Sequence, residues 1–124
     1  MELHRADEDY LKAILILQKK NGAVRSLDVA EMLNVSKPSV CRAMKILREG
    51  GLLTMDADKL IHLTPVGQTA AEQVFRKNDI LKKFLLLMGV APDIAEKDAC
   101  RMEHIISPET LEQMKIFVFR EIPV

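Results

Sequence analysis

Three residues in the last quarter of the chain have side chains that commonly bind transition metals. They are Cys100, Glu103 and His104, within the string Asp-Ala-Cys-Arg-Met-Glu-His over residues 98–104. On a helix, positions i, i+3 and i+4 share one face, so thiolate, carboxylate and imidazole would project together. This donor set suits a divalent transition ion and suits calcium or magnesium poorly. Taken alone, however, the string is better interpreted as a buried cysteine beside a surface glutamate and histidine.

The elements in the first half of the chain predict a winged helix-turn-helix. In order, they are a helix over about residues 6–20, a helix capped by Ser26, a three-residue turn, a helix over 37–49 ended by two glycines, and two short strands over 52–55 and 60–63. The third helix has an inward apolar stripe at i, i+3, i+4 and i+7, formed by Val40, Ala43, Met44 and Leu47. In this layout the second helix of the pair enters the major groove of DNA.

The exposed arc of the helix over 37–49 carries the groups that we expect to contact DNA. Ser39 and Arg42 lie near its start, where arginine can pair with guanine and serine with several base edges. Lys37 and Lys45 are placed for phosphates, which add affinity but little sequence information. With the helix cap and the first-turn proline, the predicted DNA-contacting set is Ser36, Lys37, Pro38, Ser39, Arg42 and Lys45. The alternative is a charged helix that only faces solvent.

The second half of the chain predicts three further helices. A long helix begins after Thr64 as cap and ends near Met88, and two shorter helices follow over about 92–106 and 108–119. We therefore expect a mainly α fold, with a winged helix-turn-helix over residues 1–67 and a helical domain over 68–124. The last residues, 121–124, are expected to fray.

The composition fits a globular chain with a real core. The sequence has 124 residues, 48% of them hydrophobic, and 18 basic residues balance 18 acidic ones. Nucleic-acid binding would therefore depend on local clustering of positive charge. No apolar run is long enough for a membrane span, and no signal peptide is recognisable, so we expect a cytoplasmic protein. Two cysteines are too few for a disulfide framework.

Several strings occur in the order and spacing of a known family, and together they cover nearly the whole chain. They are Glu8-Asp9-Tyr10-Leu11, Val29-Ala30-Glu31-Met32-Leu33, Ser36-x-Pro38-Ser39-Val40, Leu63-Thr64-Pro65-x-Gly67 and Asp98-Ala99-Cys100-Arg101-x-Glu103-His104. The chain thereby resembles the metal-dependent repressors of the diphtheria-toxin-repressor and manganese-transport-regulator type. The resemblance implies a short two-domain form, in which the second helical domain binds metal and forms a dimer.

The resemblance also implies a metal site, formed by Asp9, Cys100, Glu103 and His104. Asp9 matches the manganese-type members and Cys100 the iron-type members, so the site would be a hybrid. Mn(II) or Fe(II), with one site per chain, is the expected cofactor. An ion held by these ligands would tie the first helix to the dimerisation domain.

A second ion, which the family can bind, is not expected here. Asn78 stands where the family usually has a histidine, and Lys12 and Lys82 stand where it offers acidic ligands. Ammonium groups near that position would repel a cation. The two lysines would pair with carboxylates such as Glu103, or they simply point into solvent. Asn78 could still lend its carbonyl oxygen as a weak ligand.

These features together predict a metal-responsive, sequence-specific transcription repressor of metal-uptake or metal-homeostasis genes. Its partners would be a palindromic double-stranded DNA operator and a second copy of the chain. Association with a membrane is not expected. The alternatives are a regulator of the same family that has lost metal control, and a winged helix that binds protein instead of DNA. A small metalloenzyme is disfavoured because no open metal position beside a general base is visible.

Overall fold

The structure, a computed structural model, describes residues 3–121, and the predicted fraying falls mostly outside them. The chain forms two compact units, Met1–Gln73 and Val74–Val124, and the division falls within one long helix. Among the described residues, every helix is too short or too polar to cross a lipid bilayer.

The N-terminal unit has the predicted winged helix-turn-helix architecture. Its elements are α1 (Arg5–Asn21), α2 (Ser26–Leu33), α3 (Lys37–Glu49), β1 (Leu53–Met55), β2 (Ile61–Leu63) and the first residues of α4 (Pro65–Leu87). The two strands are antiparallel, with Leu53 opposite Leu63 and Met55 opposite Ile61. The hairpin between them is the wing.

The core of this unit is made by one face of each helix and by the base of the wing. All four residues of the predicted α3 stripe are buried. They pack in the same core as the buried apolar residues of α1, α2 and β1, which include Leu11, Ile14, Leu15, Val29 and Leu53. Each such aliphatic side chain contributes about 1.5–3 kcal/mol when it leaves water. Burial of the inner face leaves the opposite face of α3 in solvent.

Side-chain caps fix where the helices begin. The Ser36 hydroxyl accepts a hydrogen bond from the backbone N–H of Ser39 at 3.3 Å, as predicted for the start of α3. The predicted cap of α2 was wrong, because Ser26 is the first helical residue and Arg25 is the N-cap. There the backbone N–H of Arg25 donates to the Asp28 carboxylate at 2.9 Å, which replaces the serine cap.

The wing is joined to α4 through Thr64 and Gly67. The Thr64 hydroxyl donates to the carbonyl of Gly51 at 2.7 Å and accepts from the backbone N–H of Gly67 at 3.1 Å. A Cβ atom at Gly67 would overlap the carbonyl oxygen of Leu52, so only glycine allows this approach. The start of α4 is therefore held tightly against the end of α3 and the wing.

The C-terminal unit is helical. It contains the rest of α4, α5 (Pro92–Met102) and α6 (Pro108–Glu121). Leu81 and Leu85 of α4 and Ala95 and Ala99 of α5 form its buried core, against which Leu111 and Met114 of α6 also pack. Our prediction that α5 extends to Ile106 was wrong, since the helix ends at Met102.

Candidate metal centre and DNA-reading helix

Glu103 and His104 form a buried pair directly after α5. The backbone N–H of Glu103 still donates to Ala99 at 3.0 Å, but that of His104 donates to Arg101, only three residues back, at 3.4 Å. The hydrogen bonds therefore change from the α-helical i to i−4 spacing to the tighter i to i−3 spacing of a turn. Nε2 of His104 lies 3.4 Å from Oε1 of Glu103, and the two side chains are 3% and 0% exposed. The interpretation that both lie on the surface is wrong.

Burial of this pair needs an electrostatic reason. A carboxylate removed from water is costly unless positive charge or hydrogen-bond donors compensate it. A metal ion supplies such compensation, and the ligand atoms would then be an anionic oxygen and an imidazole nitrogen. The buried pair is therefore of the kind that a divalent ion requires.

Cys100 lies on the last turn of α5, one turn before the buried pair. It is half-buried and reduced. Nδ2 of Asn78, on α4, donates a hydrogen bond to its sulfur at 3.4 Å. Its sulfur therefore lies against α4, and Cys100 is not among the residues whose metal-ligating atoms lie close together in the part of the chain that the structure describes. Thiolate, carboxylate and imidazole suit Mn(II), Fe(II), Co(II) or Zn(II).

The other residues that the sequence assigned to metal sites lie on α1 and α4. Asp9 and Lys12 are half-buried residues of α1 in the N-terminal unit, and Lys82 is a half-buried residue of α4 in the C-terminal unit. That Asp9 binds the same ion as Cys100, Glu103 and His104 stays a prediction. Lys82 follows Asn78 by one helical turn and shares its face of α4.

The predicted DNA-contacting residues lie on the solvent side of α3 and its turn. Lys37, Pro38, Arg42 and Lys45 are exposed, as is Ser36, and Ser39 is half-buried. The hydroxyls of Ser36 and Ser39 are 2.8 Å apart, and Arg42 donates to the Ser39 hydroxyl at 3.5 Å. The start of the helix is thereby pre-ordered.

Charge is distributed unevenly along this helix. Its exposed cations are Lys37, Arg42, Lys45 and Arg48, and its one acid, Glu49, is at the C-terminal end. A chain without net charge therefore presents a locally positive face, which attracts a polyanion such as DNA.

The contacts of two residues, Asp56 and Asn78, were not predicted from the sequence. Oδ1 of Asp56 accepts hydrogen bonds from the backbone N–H groups of Asp58 and Leu60, at 2.9 and 3.0 Å, and Oδ2 lies 2.8 Å from Nε2 of His62. The Asp-x-Asp start of the hairpin is a usable indication, because aspartate often bonds to the backbone two residues on. The other contact, between Asn78 and Cys100, has no such local pattern.

Both halves of the chain match family models. Residues 2–60 match the model described as "Iron dependent repressor, N-terminal DNA binding domain". Residues 64–120 match "Iron dependent repressor, metal binding and dimerisation domain". The DNA-binding match therefore precedes the metal-binding match along the chain.

Individual proteins agree with these matches. The transcriptional regulator MntR of Escherichia coli O6:H1 is 37% identical over 118 residues, which is 94% of this chain and 76% of that protein. The diphtheria toxin repressor of Corynebacterium diphtheriae is 28% identical over 116 residues, or 93% of this chain and 51% of that protein.

A solved structure has the same architecture. The manganese regulator SloR superimposes with a TM-score of 0.80 at 28% identity, over 95% of this chain and 54% of that one. This chain thus spans about half the length of SloR and of the diphtheria toxin repressor. On both family models and on the similarity to MntR, the chain belongs to the iron-dependent repressor family, whose members are metal-dependent, DNA-binding transcription regulators and not enzymes.

Proposed function

We propose that this chain is a metal-responsive repressor that binds a palindromic operator as a homodimer, and that it regulates genes of metal uptake or homeostasis. The exposed positive face of α3, with Arg42 and Lys45, supports binding in the major groove. Family members named for iron and manganese support control by Fe(II) or Mn(II). The observation that carries the proposal is the buried Glu103–His104 pair in the metal-binding domain.

The proposed ligands are Asp9, Cys100, Glu103 and His104, with one ion per chain. Asp9 belongs to the N-terminal unit and the other three to the C-terminal unit. The ion would supply a fixed positive charge that holds anionic and neutral donors together. Because the ligands come from both units, its binding would restrict how the DNA-reading helix is presented.

Exposed apolar residues of the C-terminal unit support the proposed homodimer. Phe84, Ile106, Leu111 and Met114 pack on the unit's own core. Others remain in solvent, among them Ile105 at 82%, Met88 at 63% and Phe119 at 52% exposure. Apolar side chains concentrated on one small unit are typical of an interface. Two subunits would place two reading helices on the two half-sites of a palindrome.

The decisive experiment measures operator affinity by fluorescence anisotropy, with Mn(II), with Fe(II) under anaerobic conditions, and in strong chelator. Operator fragments can be selected from random DNA by the metal-loaded protein. We expect tight binding only with metal. Glu103→Gln should weaken metal binding by at least about tenfold. Even the loss of a group that only forms a hydrogen bond to a ligand lowers metal affinity by about that much. The exposed Glu112→Gln is the matched control and should behave as wild type.

Two results would contradict the proposal. Operator affinity that is unchanged in chelator would identify a family member without metal control. Loss of operator binding in Glu103→Gln together with unaltered metal affinity would show that this carboxylate serves another purpose. Thermal unfolding of both variants in chelator verifies that they fold.

A further inference from the structure

The segment that joins α1 to α2 runs beside the wing and is hydrogen-bonded to it. The backbone N–H of Ile61, in β2, donates to the carbonyl of Val24 at 2.8 Å. Nη1 of Arg25 donates at 3.0 Å to the carbonyl of Asp58, which lies in the wing tip, residues 56–60. Because Arg25 and Asp58 are 33 residues apart in the sequence, this bond joins two segments that only the fold brings together.

The bonds inside the wing tip fix its shape but not its position. The Asp56 carboxylate accepts from the backbone N–H groups of Asp58 and Leu60, and the carbonyl of Asp56 accepts from that of Lys59 at 3.0 Å. Each of these bonds joins residues of the tip to one another. The two strands below it have three residues each, and a two-stranded hairpin is marginally stable by itself. Contacts with another segment therefore help to hold the tip in one place.

The side chain of Arg25 is suited to hold the wing tip. At the start of α2, the backbone N–H of Arg25 donates to the Asp28 carboxylate, so this bond does not use the guanidinium. The guanidinium is planar and carries its donors in a fixed geometry. It bonds to a backbone carbonyl of the tip, which is an acceptor at every pH. Replacement of the side chain would therefore remove the contact with the tip and leave the backbone bond of α2 in place.

The wing tip carries one group that can attract DNA. Lys59 is the only lysine or arginine of the wing, residues 53–63, and it is exposed. Lys59 and α3 belong to the same unit, so DNA that α3 reads comes within reach of a correctly placed wing. The attraction between an ammonium group and a phosphate decreases with distance and is screened by salt. The position of the tip therefore determines how much Lys59 contributes to binding.

We propose that Arg25 is a positioning residue for DNA binding: its hydrogen bond to the Asp58 carbonyl holds the wing tip where Lys59 contacts DNA beside the major groove. The inference rests on the proposed function, because it takes α3 as the element that enters the groove. Arg25 acts through Lys59 and does not itself contact the DNA.

The test is a double-mutant cycle of Arg25→Met and Lys59→Gln, measured by fluorescence anisotropy with the metal-loaded protein and its operator. Methionine keeps much of the length of the side chain but has neither charge nor donor. Each single substitution should lower affinity about three- to tenfold for each half-site, and should reduce the slope of log affinity against log salt by about 0.9 for each chain. In the Lys59→Gln protein, Arg25→Met should cost almost no further affinity. This non-additivity measures the coupling of the two residues.

Lys45→Ala is the matched control for the cycle. It removes a cation of α3 and not of the wing, so its effect should add fully to that of Arg25→Met. A second measurement uses the DNA-free protein: the ¹⁵N order parameters of residues 57–59 should fall in Arg25→Met and should not fall in Lys59→Gln. Thermal unfolding verifies that each variant folds.

Three outcomes would overturn the inference. Equal losses from Arg25→Met in wild type and in the Lys59→Gln protein would show that Arg25 contacts DNA itself. Unaltered operator affinity of Arg25→Met would show that DNA binding does not depend on this bond. Lower affinity without any fall in the order parameters would show that the tip is held by other contacts. Metal-dependent operator binding of the wild type is measured separately and is compatible with each of these results, so failure here is distinguishable from failure of the proposed function.

Discussion

Within the wing, Nε2 of His62 lies 2.8 Å from Oδ2 of Asp56, at the two ends of the hairpin tip. The other carboxylate oxygen accepts from the backbone N–H groups of Asp58 and Leu60. These bonds close the tip around Lys59, whose φ of +63° is unusual for a residue other than glycine. One carboxylate thus organises the whole turn.

The first prediction concerns the pH dependence of this contact. The hydrogen bond with His62, followed by that from the Leu60 backbone, lowers the pKa of Asp56 below its ordinary 3.8. A lowered folded-state pKa contributes stability that is present above 3.8 and is lost as the pH falls through the folded-state value. Asp56→Asn should therefore lower Tm at neutral pH, and the difference from wild type should shrink well below pH 3.8.

Asparagine keeps an acceptor for the backbone bonds, so the comparison isolates the charge. Asp58→Asn, an exposed carboxylate on the same tip, should change Tm at neutral pH much less. A Tm difference between wild type and Asp56→Asn that is constant from neutral to acidic pH would contradict the argument.

The second prediction concerns the junction of the wing and α4. In Gly67→Ala the added Cβ would overlap the carbonyl oxygen of Leu52, and the backbone must move because no flexible side chain can yield. We expect a loss of about 1–3 kcal/mol in the free energy of unfolding by urea, which exceeds the small gain in helix propensity. Val66→Ala, at a 65% exposed neighbour, should change it by no more than about 0.5 kcal/mol. Equal stability of Gly67→Ala and wild type would mean that the two segments are not in tight contact.

Much of the fold was predictable because its determinants are local. The cap at Ser36, the apolar period of α3 and the polar segment between the two strands each depend on residues that are close together in the sequence. The end of α5 was not predictable in this way. The apolar periodicity continues through Ile105 and Ile106, and no glycine or proline lies between Met102 and Pro108 to mark the end of the helix.

The candidate site was predictable in its residue types but not in its environment. The spacing of Cys100, Glu103 and His104 indicated a donor set, yet burial of the last two depends on tertiary packing that no short string encodes. The partner of Cys100 is 22 residues away on another helix. Only the packing of α4 against α5 decides that the amide of Asn78 meets the sulfur.

The third prediction uses two serine caps with similar geometry in different units. Ser36 accepts from the backbone of Ser39 at 3.3 Å, and Ser107 accepts from that of Thr110 at 3.2 Å. Replacement of either serine by alanine should cost about 1 kcal/mol of stability. Only Ser36→Ala should also weaken operator binding, because it loosens the start of the reading helix. Equal operator affinity of the two variants, measured by anisotropy, would argue against that role of the cap.

The last prediction separates sequence reading from charge attraction on α3. Arg42 lies on the exposed face nearer the helix start, where its guanidinium can reach a base edge, and Lys45 lies almost one turn further on. Arg42→Ala should cost about 1–3 kcal/mol with the operator and much less with unrelated DNA. Lys45→Ala should weaken binding to both and reduce the slope of log affinity against log salt by about 1. Lys97→Ala, an exposed lysine of α5, is the control and should leave the slope unchanged. Equal losses on operator and unrelated DNA for Arg42→Ala would assign this arginine to the phosphates, and base recognition would then have to lie elsewhere on the exposed face.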